Sequence, residues 1–243
     1  MSSVYLRFAG PLQSWAGPKI TGNFSQTELI PTRSALEGFL AACLGIPRGE
    51  QTGEFYPQWF QDVIFSVRSD NTGRICSEYQ TIGNRDEDEE YRQRLFRFLS
   101  GGKNPSMKDI SFTPDQQNST SQVRRTFLSG AEFIVQIQCE NHLTEIDKAV
   151  TQPVFVPYLG KKAFSPTFPF YLGVGGDEQL RSLPRYKAKK PDGQSETVAI
   201  WQLDSLGRSE LSKATPEIVD SRKEWLLRIQ NELQRHYYVK GAV

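Results

Sequence analysis

Very little in this chain of 243 residues is suited to covalent chemistry. It has two histidines, His142 and His236, and three cysteines, Cys43, Cys76 and Cys139. The histidines fall in no His-x-His or His-x-x-x-His spacing, so neither a metal nor any other cofactor is expected. The cysteines are odd in number, far apart and set in apolar runs. That reads as buried small hydrophobes in a reducing, cytoplasmic compartment, not as a disulfide framework. No apolar run approaches the roughly 20 residues that cross a bilayer, and the amino-terminal residues lack the pattern of a secretory signal, so no membrane role is expected. Excess charge is missing too: Lys+Arg 29 against Asp+Glu 28 leaves +1. Free-standing nucleic-acid binders are often strongly basic, so a nucleic-acid site here must be a local patch. A neutral remainder suits a subunit packed among others. A nucleotide-binding glycine loop and a nucleophile paired with a base are also absent.

What is present is core material, with 37% apolar and 12% aromatic residues. Val4, Leu6 and Phe8 alternate with Tyr5, Arg7 and Ala9, a first strand ended by Gly10-Pro11. Residues 16–31 read as a polar loop. Leu36, Phe39, Leu40, Cys43 and Leu44 form one helical stripe, stopped by Gly45 and Pro47. Val63, Phe65 and Val67 predict a second strand, Asn71-Thr-Gly73 a hairpin turn and Arg74–Thr81 a third strand.

Composition then shifts. Residues 83–124 carry an acidic run, a basic-apolar stretch and a polar tract, and read as a projecting insertion, partly mobile. Phe133, Val135 and Ile137 predict the next strand. Thr144-Glu-Ile-Asp147 has capping-box character ahead of a helix bearing Ile146, Ala149 and Val150. A strand over Val154–Tyr158 would complete a β-α-β-β-α-β order, that of an α+β, ferredoxin-like or RNA-recognition-motif domain. Residues 154–243 add a strand at Thr197–Leu203, a helix opened by Ser221 with Trp225, Ile229 and Leu233 on one face, and a short strand at Tyr237-Tyr-Val-Lys. The chain reads as one domain, 1–243, with 83–124 inserted.

The candidate site lies at the start. Gln13-Ser14-Trp15 follows the first strand in an exposed-looking position, with Trp15 a core anchor, a platform for a base or a ring that faces a partner. Thr32, Arg33 and Ser34 open the first helix. Thr32 or Ser34 can cap it, Ser34 with Glu37 as a box, but an arginine there faces the positive end of the helix dipole and is disfavoured unless an anion is present. Between Phe155 and Lys190 the bases Lys161, Lys162, Arg181, Arg185, Lys187, Lys189 and Lys190 outnumber the acids Asp177 and Glu178, and Arg124-Arg125 add charge at the foot of the insertion.

Taken together, Leu-Arg-Phe-Ala-Gly-Pro-Leu-Gln-Ser-Trp-Ala-Gly, Pro-Thr-Arg-Ser-Ala-Leu-Glu-Gly-Phe-Leu-Ala-Ala-Cys-Leu-Gly-Ile, Glu-Tyr-Gln-Thr, Pro-Tyr-Leu-Gly-Lys-Lys-Ala-Phe-Ser-Pro and the closing Tyr-Tyr-Val-Lys-Gly resemble the CasD-type subunits of type I-E CRISPR Cascade complexes. The resemblance implies a modified RNA-recognition-motif (RAMP) domain with an inserted thumb and a short C-terminal extension. Its implied role is non-catalytic: it holds the repeat-derived 5′ handle of the crRNA in a cytoplasmic antiviral ribonucleoprotein. Its implied partners are that crRNA, the adjacent backbone subunit and the large PAM-reading subunit, with target DNA reached only through the complex. The implied RNA-binding set is Gln13, Ser14, Trp15, Lys19, Thr32, Arg33, Ser34, Gln80, Thr81, Arg124, Arg125, Lys161 and Lys162. Relatives in type I-C systems cut precursor RNA, but their catalytic set has no match here, and no HNH-like pattern occurs in these residues. The rival reading is a metal-independent endoribonuclease using His142 with a Lys or Tyr.

Overall fold

The computed structural model describes residues 2–17, 24–47, 56–82, 85–103, 121–187, 196–204 and 207–233. It divides into two compact units, one of Met1–Pro18, Thr27–Cys76 and Phe127–Val243, the other of Lys19–Gln26 and Ser77–Thr126. Residues 83–124 fall within the second unit.

The first unit is built on a six-stranded sheet. Strands β1 (Ser2–Ala9), β4 (Ile64–Asn71), β7 (Glu132–Gln138), β8 (Tyr171–Gly176), β10 (Val198–Asp204) and β11 (Gly207–Ala214) take the order β11-β10-β4-β7-β1-β8. Every neighbouring pair is antiparallel. Helix α1 (Arg33–Leu44) follows β1 and helix α3 (Leu143–Thr151) follows β7. Leu36, Phe39, Leu40 and Cys43 of α1 share one core with Ile146 and Val150 of α3 and with Val4, Leu6, Phe8, Phe65 and Val135 of the sheet.

Strand β1 is buried on both faces, so the predicted in-out alternation does not hold: Tyr5 is 0% and Arg7 3% exposed. Tyr5 belongs to a second core with Ile134, Leu172, Ile200, Leu180 of the short helix α4 (Gln179–Ser182) and Val219 of β12 (Ile218–Val219), which pairs with β9 (Arg185–Tyr186); Trp225, Ile229 and Leu233 of helix α5 (Arg222–Glu232) and its end cover it. Arg7 is accommodated because its Nε meets Glu132 at 2.7 Å and its guanidinium lies 5.5 Å from the centre of the Trp225 ring. Helix α5 is capped as expected, Ser221 Oγ accepting from the Glu224 N–H.

The structure corrects four local expectations. Val154–Tyr158 is not a strand. The N–H groups of Val154 and Phe155 donate to the carbonyls of Cys43 and Ala42, completing the last turn of α1 beside the left-handed Gly45. The strand that pairs with the outer side of β1 is instead glycine-rich β8. Asn71-Thr-Gly73 closes no hairpin: β4 stays in the large sheet, whereas β5 (Arg74–Ile82) pairs β6 (Ser121–Ser129). Helix α3 starts one residue before Thr144, with His142 at its cap and Glu145 in the first turn. Cys43 and Cys139 are buried, as expected, but Cys76 is half-buried, its thiol donating to the Phe127 carbonyl at 3.5 Å. Burial pushes the Cys43 thiol up to about 12. The segment at 237–240 lies outside the described residues.

The second unit holds β3 (Phe24–Ser25), paired parallel to Arg124-Arg125 of β6, and helix α2 (Arg85–Leu99). On α2, Leu95, Phe98 and Leu99 are exposed.

Candidate nucleic-acid interface

Strand β2 (Leu12–Gln13) pairs with Ser129 and Leu128 of β6 and carries Gln13-Ser14-Trp15 into the core. The three residues are 0%, 5% and 1% exposed, against the exposed position expected. Gln13 Nε2 donates to the carbonyls of Ala131 (2.7 Å) and Phe8 (3.3 Å). Trp15 stacks on Phe8, centroids 5.8 Å apart at 14°. It is therefore the core anchor of the three alternatives, and its ring is closed to a base and to a partner. Its main chain is tied in by hydrogen bonds: the backbone N–H donates to Thr27 Oγ1 at 2.8 Å, and the carbonyl accepts from the Glu28 N–H at 2.6 Å.

The block Tyr158-Leu-Gly-Lys-Lys162 comes against this segment. The Ser14 N–H donates to the Leu159 carbonyl at 3.1 Å, and the Leu159 N–H closes a turn on the Phe164 carbonyl at 2.7 Å. Gly160 takes φ +84, and a Cβ there would meet the Ser14 carbonyl oxygen. The turn holds Lys161 Nζ 4.3 Å from the centre of the Phe127 ring and leaves Lys162 exposed. Two of the separated sequence blocks thus form one feature, with Lys162 exposed and Lys161 half-buried.

Arg33 does not present a free guanidinium. Its Nη1 donates to the carbonyls of Val63 (2.8 Å) and Leu203 (3.1 Å), its Nη2 to that of Phe60 (2.8 Å), and its Nε pairs with Glu37 at 2.8 Å. The dipole argument called for an anion beside this arginine; the anion here is Glu37 of the same helix, joined by three main-chain carbonyls. Thr32 is the N-cap residue without a side-chain cap bond; its hydroxyl lies 3.4 Å from that of Ser34.

These residues line one wall of an open cleft of about 660 Å³. Ala16, Gly17 and Glu28 form a second wall, and Leu203, Asp204, Gly207 and Arg208 a third. Arg208 is 3.5 Å from Glu28 and lies over the Trp201 ring at 5.3 Å. Sequence reasoning missed Glu28, Asp204 and Arg208, because the cleft joins positions about 170 residues apart and no local pattern marks it.

The remaining calls are scattered. Gln80 and Thr81 lie on β5 in the second unit, with Gln80 Nε2 donating to Glu78 at 2.5 Å and Thr81 exposed. Arg124 is exposed and Arg125 half-buried on β6. Lys19 lies outside the described residues. In the basic tract, Arg185 (2.6 Å) and Lys187 both pair with Glu196, which lowers the free positive charge there. His142 stacks on Trp59, centroids 4.3 Å apart at 9°, and its Nδ1 is 2.9 Å from Glu145, so neither of these neighbours is a lysine or tyrosine. Among the described residues no group of three or more His, Cys, Asp or Glu could hold a metal ion, and no helix is long and apolar enough to cross a membrane.

The chain matches the family model described as CRISPR-associated protein (Cas_Cas5) over residues 3–232. It is 30% identical to the CRISPR system Cascade subunit CasD of Escherichia coli (strain K12) over 248 residues, covering 100% of this chain and 97% of that protein. In fold it is similar to a chain of a CRISPR RNA-guided surveillance complex, with TM-score 0.69 at 21% identity over 96% of this chain and 100% of that one. It is also similar to a Cas protein known from a crystal structure, with TM-score 0.50 at 25% identity over 82% and 78% of the two chains.

Proposed function

This chain belongs to the CRISPR-associated Cas5 family, and from that premise we propose that it is a non-catalytic subunit of a type I-E Cascade complex that binds the 5′ handle of the crRNA. The observation that carries the reading is the loop 159–164, pinned to Ser14 and presenting Lys161 and Lys162. A lysine spread on an aromatic ring beside a second, exposed lysine is suited to consecutive phosphates of a single strand.

The order of strands supports the domain type. Counting only β1, β4, β7 and β8, the sheet runs second, third, first, fourth, with α1 and α3 as the two crossovers. That order supports a ferredoxin-like reading, the arrangement of RNA-recognition-motif domains. Such domains commonly stack bases on the open sheet face. Here Trp225 and Ile229 of α5 fill one face and α1 and α3 the other, so RNA is held by loops at the edge of the domain. The neighbours of His142 are an indole and a carboxylate, not the lysine or tyrosine that the endoribonuclease reading calls for. The adjoining backbone subunit and the large PAM-reading subunit are the proposed protein partners.

The test is a titration of the full chain into labelled 5′-handle RNA and a scrambled RNA of equal length, alongside repeat RNA incubated without metal. Tighter binding of the handle with intact repeat RNA is expected. Equal affinity for the two RNAs would defeat the reading, and repeat cleavage abolished by His142→Ala would replace it with the endoribonuclease.

A further inference from the structure

The cleft at the start of α1 was expected to hold a phosphate, and its charges argue otherwise. Its lining carries Glu28, Glu37 and Asp204 against Arg33 and Arg208. Arg33 is committed to Glu37 and three carbonyls of its own chain. Arg208 faces Glu28 across 3.5 Å. A phosphate entering the cleft would meet more carboxylate than cation, with the better of the two arginines already saturated.

We propose that this cleft receives a basic main-chain segment of a neighbouring protein subunit, one lysine or arginine side chain entering between Glu28 and Asp204. The inference is independent of the RNA site at Lys161 and Lys162. Three features fit such a guest. The net charge of the lining is negative. Of the apolar residues in the lining, Ala16 is exposed, whereas Pro31 and Leu203 are buried, so the Ala16 wall is the contact for the methylene stem of a long cationic side chain. The Thr32 side chain makes no cap bond to the start of α1, so a guest carbonyl has N–H groups to accept from. The Arg208–Glu28 pair is long and about half exposed at Arg208, side-chain exposures being 47% and 34%. Such a pair is weak and exchangeable, which leaves Glu28 able to take a stronger partner. An RNA backbone would satisfy the helix end but not the carboxylates.

The experiment co-expresses the full chain with the protein subunits encoded beside it and their crRNA. Glu28→Lys reverses the charge of one wall, and Glu28→Gln removes it without adding bulk. Asp204→Asn tests the opposite wall, with chain yield and melting temperature checked for each variant. The expected result is at least tenfold less co-purified partner protein for Glu28→Lys, a smaller loss for Glu28→Gln and Asp204→Asn, and handle-RNA affinity of the isolated chain within twofold of the parent. Unchanged partner retention in all three variants would overturn the proposal. So would a tenfold change in RNA affinity with the protein assembly intact, which would assign the cleft to nucleic acid. Failure of the handle-binding reading is separate: it is seen with the parent chain alone.

Discussion

The carbonyl oxygen of Ser14 lies 1.6 Å from the point that a Cβ on Gly160 would occupy. With φ at +84, the position is closed to other residues both by backbone conformation and by space. The obstacle is backbone rather than a flexible side chain, so relief requires the loop to move. Gly160→Ala is therefore expected to destabilise the chain by at least about 1–3 kcal/mol, the range for a residue forced into a sparsely populated conformation. It should also weaken handle binding by displacing Lys161 and Lys162. Thermal unfolding and RNA titration of the same sample check both. An unchanged melting temperature would show that the loop yields freely.

Lys161 and Lys162 predict a salt signature. Each phosphate neutralised on a single strand adds roughly 0.7 to the slope of log affinity against log salt. Lys161→Ala and Lys162→Ala should each reduce that slope by about this amount, and the double variant by about twice it. Lys161→Arg should retain it, since a guanidinium also rests well on the Phe127 ring. A slope equal to that of the parent in the double variant would remove the loop from the RNA site.

Arg33 behaves as a strut. Arg33→Ala removes the charged donors from the carbonyls of Val63 and Leu203 and from that of Phe60, which keeps only the Val63 N–H at 3.3 Å. A loss of about 2–4 kcal/mol in unfolding free energy is expected, since leaving such buried acceptors unpaired is among the costlier single changes. Handle affinity of the folded fraction should stay within twofold. A large loss of affinity with stability intact would restore the phosphate role that a helix-opening arginine suggests.

Much of this arrangement follows from local rules. The stripe Leu36, Phe39, Leu40, Cys43 names the buried side of α1, and Val4, Leu6, Phe8 the side of β1 that meets it. What local rules miss depends on distant partners. Trp15 follows the polar pair Gln13-Ser14, and only Phe8 and Thr27 reveal that it is buried. Val154-Phe-Val156 has strand composition but is used as a cover for the carbonyls of α1, whereas Tyr171–Gly176, rich in glycine, does the pairing because it borders β1. Strand β11, Gly-Arg-Ser-Glu-Leu-Ser-Lys-Ala, is too polar to be read as a strand, and its exposed edge position explains why it can be. The acceptors of Arg33 lie up to 170 residues away.

Glu132 ties stability to acidity. Burial pushes its carboxyl up, but the hydrogen bond and charge of Arg7, with Arg222 3.4 Å away, outweigh that and hold it below the usual carboxylate range. The folded form therefore binds its proton less readily than the unfolded chain, whose value is near 4.5. The resulting stabilisation is fully present above that value and is lost as pH falls through the lower, folded one. Denaturant unfolding at pH 7 and at progressively lower pH should show a decline beginning below about pH 4.5 to which Glu132 contributes. Glu132→Gln lowers stability at pH 7, because Arg7, 3% exposed, loses its charged partner. It should also flatten the acid decline, since no proton is taken up at that position. Parallel pH profiles for parent and variant would show that Arg7 and Glu132 are not coupled in the folded chain.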